Sequence, residues 1–290
     1  MIEFSKAHAC GNDFLIVDAS QIVDAAQIDA DQMDATQVAG CDLARLSRVL
    51  CARTTGIGAD GVEYLTQTGR REGRIHLYNA DGSTGEISGN GTRCVAAWMA
   101  YQAGLGAGDE VRVETDAGLR VCRLESANGA EFRFITGMGV PQVRRKTVKL
   151  DGGLTVESAF VNMGNPQFVV MVKDMDFAVA GRAWQEVGAA ICTHPDFPAG
   201  TNVEFVRRLE NDRIEIRIYE RGVGPTSSSG TGTSASAAAI MALEGAPRRL
   251  RVLAPGGEQL VEWAGGDEEL QLTGPATVLA RGQWLPGGAK

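Results

Sequence analysis

The sequence predicts an α+β fold in two pseudo-symmetric domains, each a mixed, mostly antiparallel sheet rolled around a central helix. Three observations carry this. The stretch Tyr78 to Met99, with Ser88-Gly-Asn-Gly-Thr opening into an Ala-rich run, recurs as Tyr219 to Ala239, with Ser229-Gly-Thr-Gly-Thr opening into a second small-residue run. The spacing is kept: positions 78 and 219, 88 and 229, and 62 and 203 (Val62-Glu63-Tyr64 against Val203-Glu204-Phe205) are each 141 apart, while Gly11-Asn12 recurs 153 residues on as Gly164-Asn165. Such ordered matches across half a chain point to an internal duplication rather than a short-period solenoid. Between the matches lie short alternating segments bounded by turn residues, the mark of antiparallel strands. The expected domains are 1–132 with 275–290, and 133–274, and the cleft between two such halves is the natural site.

Taken in order, Ile2 to Ala9 and Phe14 to Asp18 read as strands around the loop Ala9-Cys10-Gly11-Asn12-Asp13. Ser20 to Gly40 carries Asp24, Asp29, Asp31 and Asp34 with no Lys or Arg, and reads as a solvated surface excursion. Asp42 can cap a short amphipathic helix to Ala52, since Leu43, Leu46 and Leu50 recur at helical spacing. Gly56-Ile-Gly58-Ala-Asp-Gly61 has the spaced glycines of a dinucleotide loop. However, a helix precedes it and the strand-like Val62-Glu-Tyr-Leu follows, the reverse of what that loop requires, so a plain turn is the better reading. Ile75 to Tyr78 alternates, Asn79-Ala80-Asp81-Gly82 turns, and a helix from Ala96 to Leu105 follows the Ser88 loop. Glu110 to Glu114 and Leu119 to Leu124 read as strands, and Ser126 to Gly129 as a turn. From Met138 the plan repeats, with a helix near Ala183 to Cys192. The tail from Leu270 reads as closing strands returning to the first half.

The chain has 290 residues, 44% of them apolar, as in ordinary globular proteins. A formal charge of −8 excludes a nucleic-acid surface, which wants a basic face. No apolar run approaches a transmembrane length and the start lacks a signal-peptide layout, so a cytoplasmic protein is expected. The six cysteines are scattered without a Cys-x-x-Cys pair, so neither a disulfide framework nor a zinc knuckle is indicated. His8, His76 and His194 have no carboxylate or Cys at ligand spacing, and neither a metal nor any other cofactor is expected.

The two Ser-Gly-x-Gly loops carry the chemistry. Small residues opening directly into a helix place unpaired N–H groups and the positive dipole end where an anion, such as a substrate carboxylate, would sit. Ser88 and Ser229 are also favoured N-cap residues. Cys94, six residues past Ser88, and Cys10, beside Asn12, both read as small packed side chains.

At these residues the chain resembles the diaminopimelate epimerase family, whose superfamily includes proline racemase. The motifs are Ala9-Cys-Gly-Asn12-Asp-Phe, Gly56-Ile-Gly-Ala-Asp, Asn79-Ala-Asp-Gly-Ser, Gly89-Asn-Gly-Thr-Arg, Met163-Gly-Asn165-Pro, Asn202-Val-Glu-Phe and Glu220-Arg-Gly-Val-Gly…Ser-Gly-Thr-Gly, in family order across most of the chain. The resemblance implies cofactor-independent epimerisation of LL-diaminopimelate to the meso form, in the lysine and peptidoglycan precursor pathway, by two groups acting on opposite faces of the α-carbon. It places those groups at Ser88 and Ser229, with Glu220 close to the substrate's ammonium group. The helix N-termini, at Gly89, Asn90, Gly230 and Thr231, would hold the α-carboxylate. Asn12, Asn79, Asn165, Asn202 and Arg221 would recognise the distal amino-acid end. Partners are a small amino acid, with neither nucleic acid nor membrane; a homodimer stays open. The sequence departs from the family's pattern at three points: Ser88 and Ser229 stand where the family has cysteines, and Gln167 where it has a histidine. A hydroxyl is a far weaker acid than a thiol, so three readings stand side by side. In one, the serines are activated by the helix ends and a neighbour such as Glu220. In another, the chain is a paralogue that binds, isomerises or eliminates a related amino acid. In the third, it is a Cys-to-Ser variant that binds without efficient turnover.

Overall fold

The computed structural model describes residues 1–25, 42–85 and 88–285, without the side chains of residues 23–25. The chain forms two compact units, Met1–Phe134 with Pro275–Lys290, and Ile135–Gly274.

In the first unit the elements are β1 (Ile2–Ala9), β2 (Asn12–Asp18), α1 (Ser20–Ala25), α2 (Leu43–Cys51), β3 (Gly61–Gln67), β4 (Glu72–Asn79), β5 (Thr84–Gly85), α3 (Gly89–Ala103), β6 (Glu110–Thr115), β7 (Gly118–Asn128) and β8 (Glu131–Gly137). β8 carries the chain across the unit boundary. The second unit follows with β9 (Gln142–Lys149), β10 (Thr155–Asn162), β11 (Pro166–Val172), α4 (Trp184–Cys192), β12 (Asn202–Glu210), β13 (Arg213–Glu220), β14 (Gly224–Thr226), α5 (Gly230–Leu243), β15 (Arg249–Ala254), β16 (Gly257–Glu262) and β17 (Gln271–Trp284).

The duplication is visible in the strand pairing. β1 and β2 pair antiparallel, as do β10 and β11. β2 runs parallel to β3, and β11 to β12, each pair joined through a helix, α2 or α4. β3 is antiparallel to β4, and β12 to β13. β4 is parallel to β6, and β13 to β15, with α3 and α5 as the crossovers. The parallel pairs arise where a helix lies between the strands, because such a pairing needs a long crossover. The tail does return: β17 pairs with β16 at Leu260↔Thr273 and then with β1 from His8↔Thr277 to Ile2↔Trp284.

In each unit the strands close on one central helix. α3 is buried without interruption from Asn90 to Ala100, and α5 from Gly232 to Met241. A helix that is apolar or small on every face belongs inside a core, and Ala, Gly and Ser let strands approach on all sides. Around α3 pack Leu65, Ile75, Val113, Phe132 and Phe134; around α5 pack Val169, Val206, Ile216, Leu250 and Leu272. A second, smaller core lies on the other face of each sheet, under α2 and under α4.

Two local expectations change. Ser88-Gly-Asn-Gly is not a loop before a helix beginning at Ala96: α3 starts at Gly89, so these glycines form its first turn, and Ser229 precedes α5 in the same way. A side-chain cap and burial outweigh the poor helix propensity of glycine. The acidic stretch opens with a helix, α1, whose Ile22 is buried, so its first residues are packed rather than solvated. Asp29, Asp31 and Asp34 lie outside the described residues. Asp42 caps α2 as expected, accepting the Arg45 N–H at 2.9 Å.

Phe134 is fully buried against α3. Phe134→Ala is expected to lower stability by about 3–5 kcal/mol, read from the urea unfolding midpoint, while truncating the exposed Leu279 changes it by less than about 0.5 kcal/mol.

Candidate active-site loops

In the first unit, β1 passes into β2 through Cys10-Gly11, a two-residue turn between the paired Ala9 and Asn12. Both turn residues have positive φ, 51° and 78°, the left-handed backbone that such hairpins require and that Gly11 adopts without strain. Cys10 is buried there, a packed side chain as its size suggests.

The turn fixes Asn12. Its side-chain N–H donates to Asp60 at 2.6 Å, and its carbonyl accepts from Asn90 at 3.3 Å. Asp60 pairs with Arg53 at 2.7 Å, and Arg53 pairs with Asp13 at 2.9 Å. Lys6 reaches Asp13 at 2.9 Å. Burial alone would push the Asp13 carboxyl up; hydrogen bonds and charge from Arg53 and Lys6 outweigh it and hold Asp13 below the ordinary carboxylate range. The Asp60 carbonyl also accepts the Ala80 N–H, while Asn79 pairs with Gly61 and donates to Ser83 Oγ at 3.0 Å. Thus Asp60 ties Asn12, and through it Asn90, to the strand end that carries Asn79.

Ser88 is the N-cap of α3. Its Oγ accepts the Gly91 N–H at 3.0 Å, its carbonyl accepts the N–H and hydroxyl of Thr92, and Arg93 donates to the Asn90 side chain. An oxygen holding a backbone N–H at a helix N-terminus is an oxygen whose negative charge is favoured.

The second unit builds its counterpart from amides and hydroxyls. Ser229 caps α5, accepting the Gly232 N–H at 3.3 Å, and lies 3.4 Å from Thr231 Oγ1. Gln167 is fully buried and donates from Nε2 to Asn165 at 2.7 Å and to Thr231 at 3.2 Å. Gln167 also sits beside Asn202 in the β11–β12 pairing. Asn202 Oδ1 accepts the Arg221 backbone N–H at 2.9 Å, and Arg221 Nη1 donates to the Ala199 backbone carbonyl at 2.6 Å. Arg221 is thus tied to Asn202, the strand partner of Gln167, and Gln167 branches to Asn165 and to Thr231, which reaches Ser229. Glu220, the last residue of β13, acts electrostatically on Glu204.

The residues singled out from the sequence therefore gather into two clusters: Asn12, Asn79, Ser88, Gly89 and Asn90 in the first unit, and Asn165, Asn202, Glu220, Arg221, Ser229, Gly230 and Thr231 in the second. Sequence reasoning missed the residues behind them. Lys6, Asp13, Arg53 and Asp60 form the ionic frame that holds Asn12. Glu63 and Glu204, fully buried on β3 and β12, lie against the first turns of α3 and α5, and none of their carboxyl oxygens has a hydrogen-bond partner among the described residues. Burial pushes the Glu63 carboxyl up to about 8, with a further push from Asp116; burial and then Glu220 drive Glu204 well above the carboxylate range. The available signal was a glutamate at matched positions of two otherwise apolar strands. Cys94 is a buried thiol, raised by its burial. Among the described residues no group of three His, Cys, Asp or Glu could hold a metal ion, and no helix is long and apolar enough to cross a membrane. A cavity of about 330 Å³ lined by Phe4, Asp18, Trp98 and Arg281 shares no residue with either cluster.

The family model for diaminopimelate epimerase matches residues 4–143 and 159–279. The diaminopimelate epimerase of Desulforudis audaxviator is 36% identical over 298 residues, 98% of this chain and 99% of that one. That of Moorella thermoacetica is 34% identical over 296 residues, with the same coverage. A hydroxyproline epimerase from Agrobacterium vitis, solved with bound trans-4-hydroxy-L-proline, shares the fold at a TM-score of 0.69 and 16% identity, over 98% of this chain and 90% of that one.

Two outcomes follow from the buried carboxyls. A Cβ on Gly91 would overlap Glu63 Oε1, and one on Gly232 would stand 2.8 Å from Glu204 Oε1. Gly91→Ala and Gly232→Ala should both lower the melting temperature, Gly91→Ala more, although alanine otherwise favours a helix by about 1 kcal/mol. In addition, Glu63 keeps its proton in the folded state up to about pH 8 and loses it near pH 4.3 when unfolded. The stability this contributes is fully present below about pH 4.3 and is lost as pH rises towards 8, with a slope of up to about 1.4 kcal/mol per pH unit. Urea unfolding of Glu63→Leu from pH 5 to 8 should show a shallower decline than the unmodified chain.

Proposed function

Because the chain belongs to the diaminopimelate epimerase family, we propose that it epimerises LL-diaminopimelate to meso-diaminopimelate with Ser88 and Ser229 at the two proton-transfer positions. The observation that supports this most directly is the matched pair of serine-capped helix N-termini, each serine accepting a backbone N–H, at duplicated positions. Inverting an α-carbon takes one group that removes a proton and another that delivers one to the opposite face, and the duplication supplies two such groups in like settings.

In this reading the first turns of α3 and α5, at Gly89, Asn90, Gly230 and Thr231, hold the α-carboxylate through backbone N–H groups and stabilise charge as the α-proton leaves. Asn12, Asn79, Asn165, Asn202 and Arg221 recognise the distal amino-acid end, and Glu220 takes the ammonium group. Gln167 cannot exchange a proton at neutral pH; its part is to hold Asn165 and Thr231 in place. The substrate is bound without any metal or organic cofactor taking part, and the reaction belongs to the precursor supply of lysine and peptidoglycan.

Proton NMR of LL-diaminopimelate in D2O tests this. The unmodified chain should erase the α-proton signal and Ser88→Ala should slow that loss by at least about 10²-fold, while a Ser88→Cys, Ser229→Cys double variant should exchange faster than the unmodified chain. Retention of the α-proton by the unmodified chain, with exchange in the cysteine variant, would mean a binding site without turnover. Retention in both would mean a different substrate.

A further inference from the structure

Glu63 and Glu204 have no part in the reaction as described above, yet their placement repeats with the serines. Ser88, Gly91 and Glu63 become Ser229, Gly232 and Glu204 on adding 141 to each number. Glu63 shares the α3 face of its strand with Leu65, and Glu204 the α5 face of its own with Val206, both core residues. Each carboxyl reaches the first turn of the helix at the glycine whose N–H the serine caps. The empty Cβ position of Gly91 lies within 3.0 Å of Glu63 Oε1 and 3.2 Å of Ser88 Cβ; that of Gly232 lies 2.8 Å from Glu204 Oε1 and 3.3 Å from Ser229 Cβ. In both units the carboxyl oxygen is therefore no more than about 6 Å from the serine Cβ, a span that one water can bridge to the hydroxyl. All four carboxyl oxygens are buried and without a hydrogen-bond partner among the described residues; for Glu204 its own backbone N–H is nearby but out of hydrogen-bonding geometry. A purely structural carboxyl in such a place is a liability, since an apolar side chain of like volume would avoid its desolvation.

We propose that Glu63 and Glu204 are the proton relays of Ser88 and Ser229, taking up and returning the serine hydroxyl protons as the serines exchange protons with the substrate α-carbon. They do not touch the substrate; they act through the serines. In one direction the α-C–H bond breaks, its electron pair stays on the substrate, and its proton passes to Ser88 Oγ as the Ser88 hydroxyl proton moves to the ionised Glu63 carboxylate. On the other face the carbanion's electron pair takes the Ser229 hydroxyl proton, and the Glu204 carboxylic acid replaces it. Charge is conserved: one carboxylate becomes neutral as one acid becomes ionised, and the reverse reaction or proton exchange with water restores the starting state. The environments suit the two roles. Asp116 is the charged group acting on Glu63, which the α3 residue Cys94 also faces, and Glu220 acts on Glu204. Near pH 8 Glu63 is close to its midpoint, and burial with Glu220 raises Glu204 well above the ordinary carboxylate range.

This inference rests on the epimerase reading, and the test separates the two. Glu63→Gln and Glu204→Gln are assayed by α-proton exchange and epimerisation of LL-diaminopimelate, in the serine chain and in the Ser88→Cys, Ser229→Cys background. In the serine chain each should lower kcat by about 10²-fold or more with KM within about threefold, and Glu63→Gln should remove the rise of kcat with pH approaching 8. In the cysteine background the fall should be at least tenfold smaller, because a thiol near a helix N-terminus forms its anion without a relay. If an amide does not fold at either position, Glu63→Leu serves in its place and should show the same loss. Unchanged kcat in both Gln variants of an active chain, or an equal fall in serine and cysteine backgrounds, overturns the relay and leaves the epimerase reading standing. An unmodified chain that neither exchanges nor epimerises overturns both.

Discussion

The structure depends on two helices, α3 and α5, whose small side chains allow strands to close around them from the first turn onward. Ala96, Ala97 and Ala100 in one, and Ala235, Ala237, Ala238 and Ala239 in the other, are fully buried. That burial fixes where each helix begins, and the beginning is where its N–H groups and dipole can meet charge. The sites and the cores are thus one construction. A bulkier helix would push the strands away and, with them, the turns that carry Asn12 and Asn165.

What could be read from the sequence follows from distance along the chain. The duplication, the α2 cap at Asp42 and the return of the tail all show in patterns of spacing or local chemistry. The frame around Asn12 does not. Asp60 lies 48 residues from Asn12, and Arg53 lies 40 from Asp13; no periodicity connects them. They meet because the parallel β2–β3 pairing sets Phe14 beside Gly61. The start of α3 was placed too late because glycine reads as loop, while the fold holds the first-turn glycines of both helices in place with Ser88 and Ser229. Glu63 and Glu204 were visible as matched residues, but burial, the fact that gives them chemical meaning, exists only in the folded chain.

The two clusters are alike in backbone and unlike in chemistry. The first is pinned by charge, with two carboxylates and two cations around Asn12. The second is pinned by neutral groups, with Gln167 spanning Asn165 and Thr231. An ionic frame is expected to be sensitive to low pH, because Asp13 is held ionised by its partners and loses that support once protonated. An amide frame has no such dependence.

Serine changes what the surroundings must supply. A cysteine capping a helix reaches its anion through the dipole and one N–H. A hydroxyl starts with a far higher pKa, and each unit of mismatch costs about 1.4 kcal/mol, more than a helix terminus contributes. In the proposed reaction the serine proton needs somewhere to go as the substrate proton arrives. A carboxyl at the solvent edge would lose its proton near pH 4 and be too weak a base; buried, it stays basic enough to accept one. Glycine at positions 91 and 232 is what brings such a carboxyl under the cap, since any Cβ there would occupy the space of the acid oxygen. Buried glutamate, glycine and capping serine then form a single unit, present once in each half.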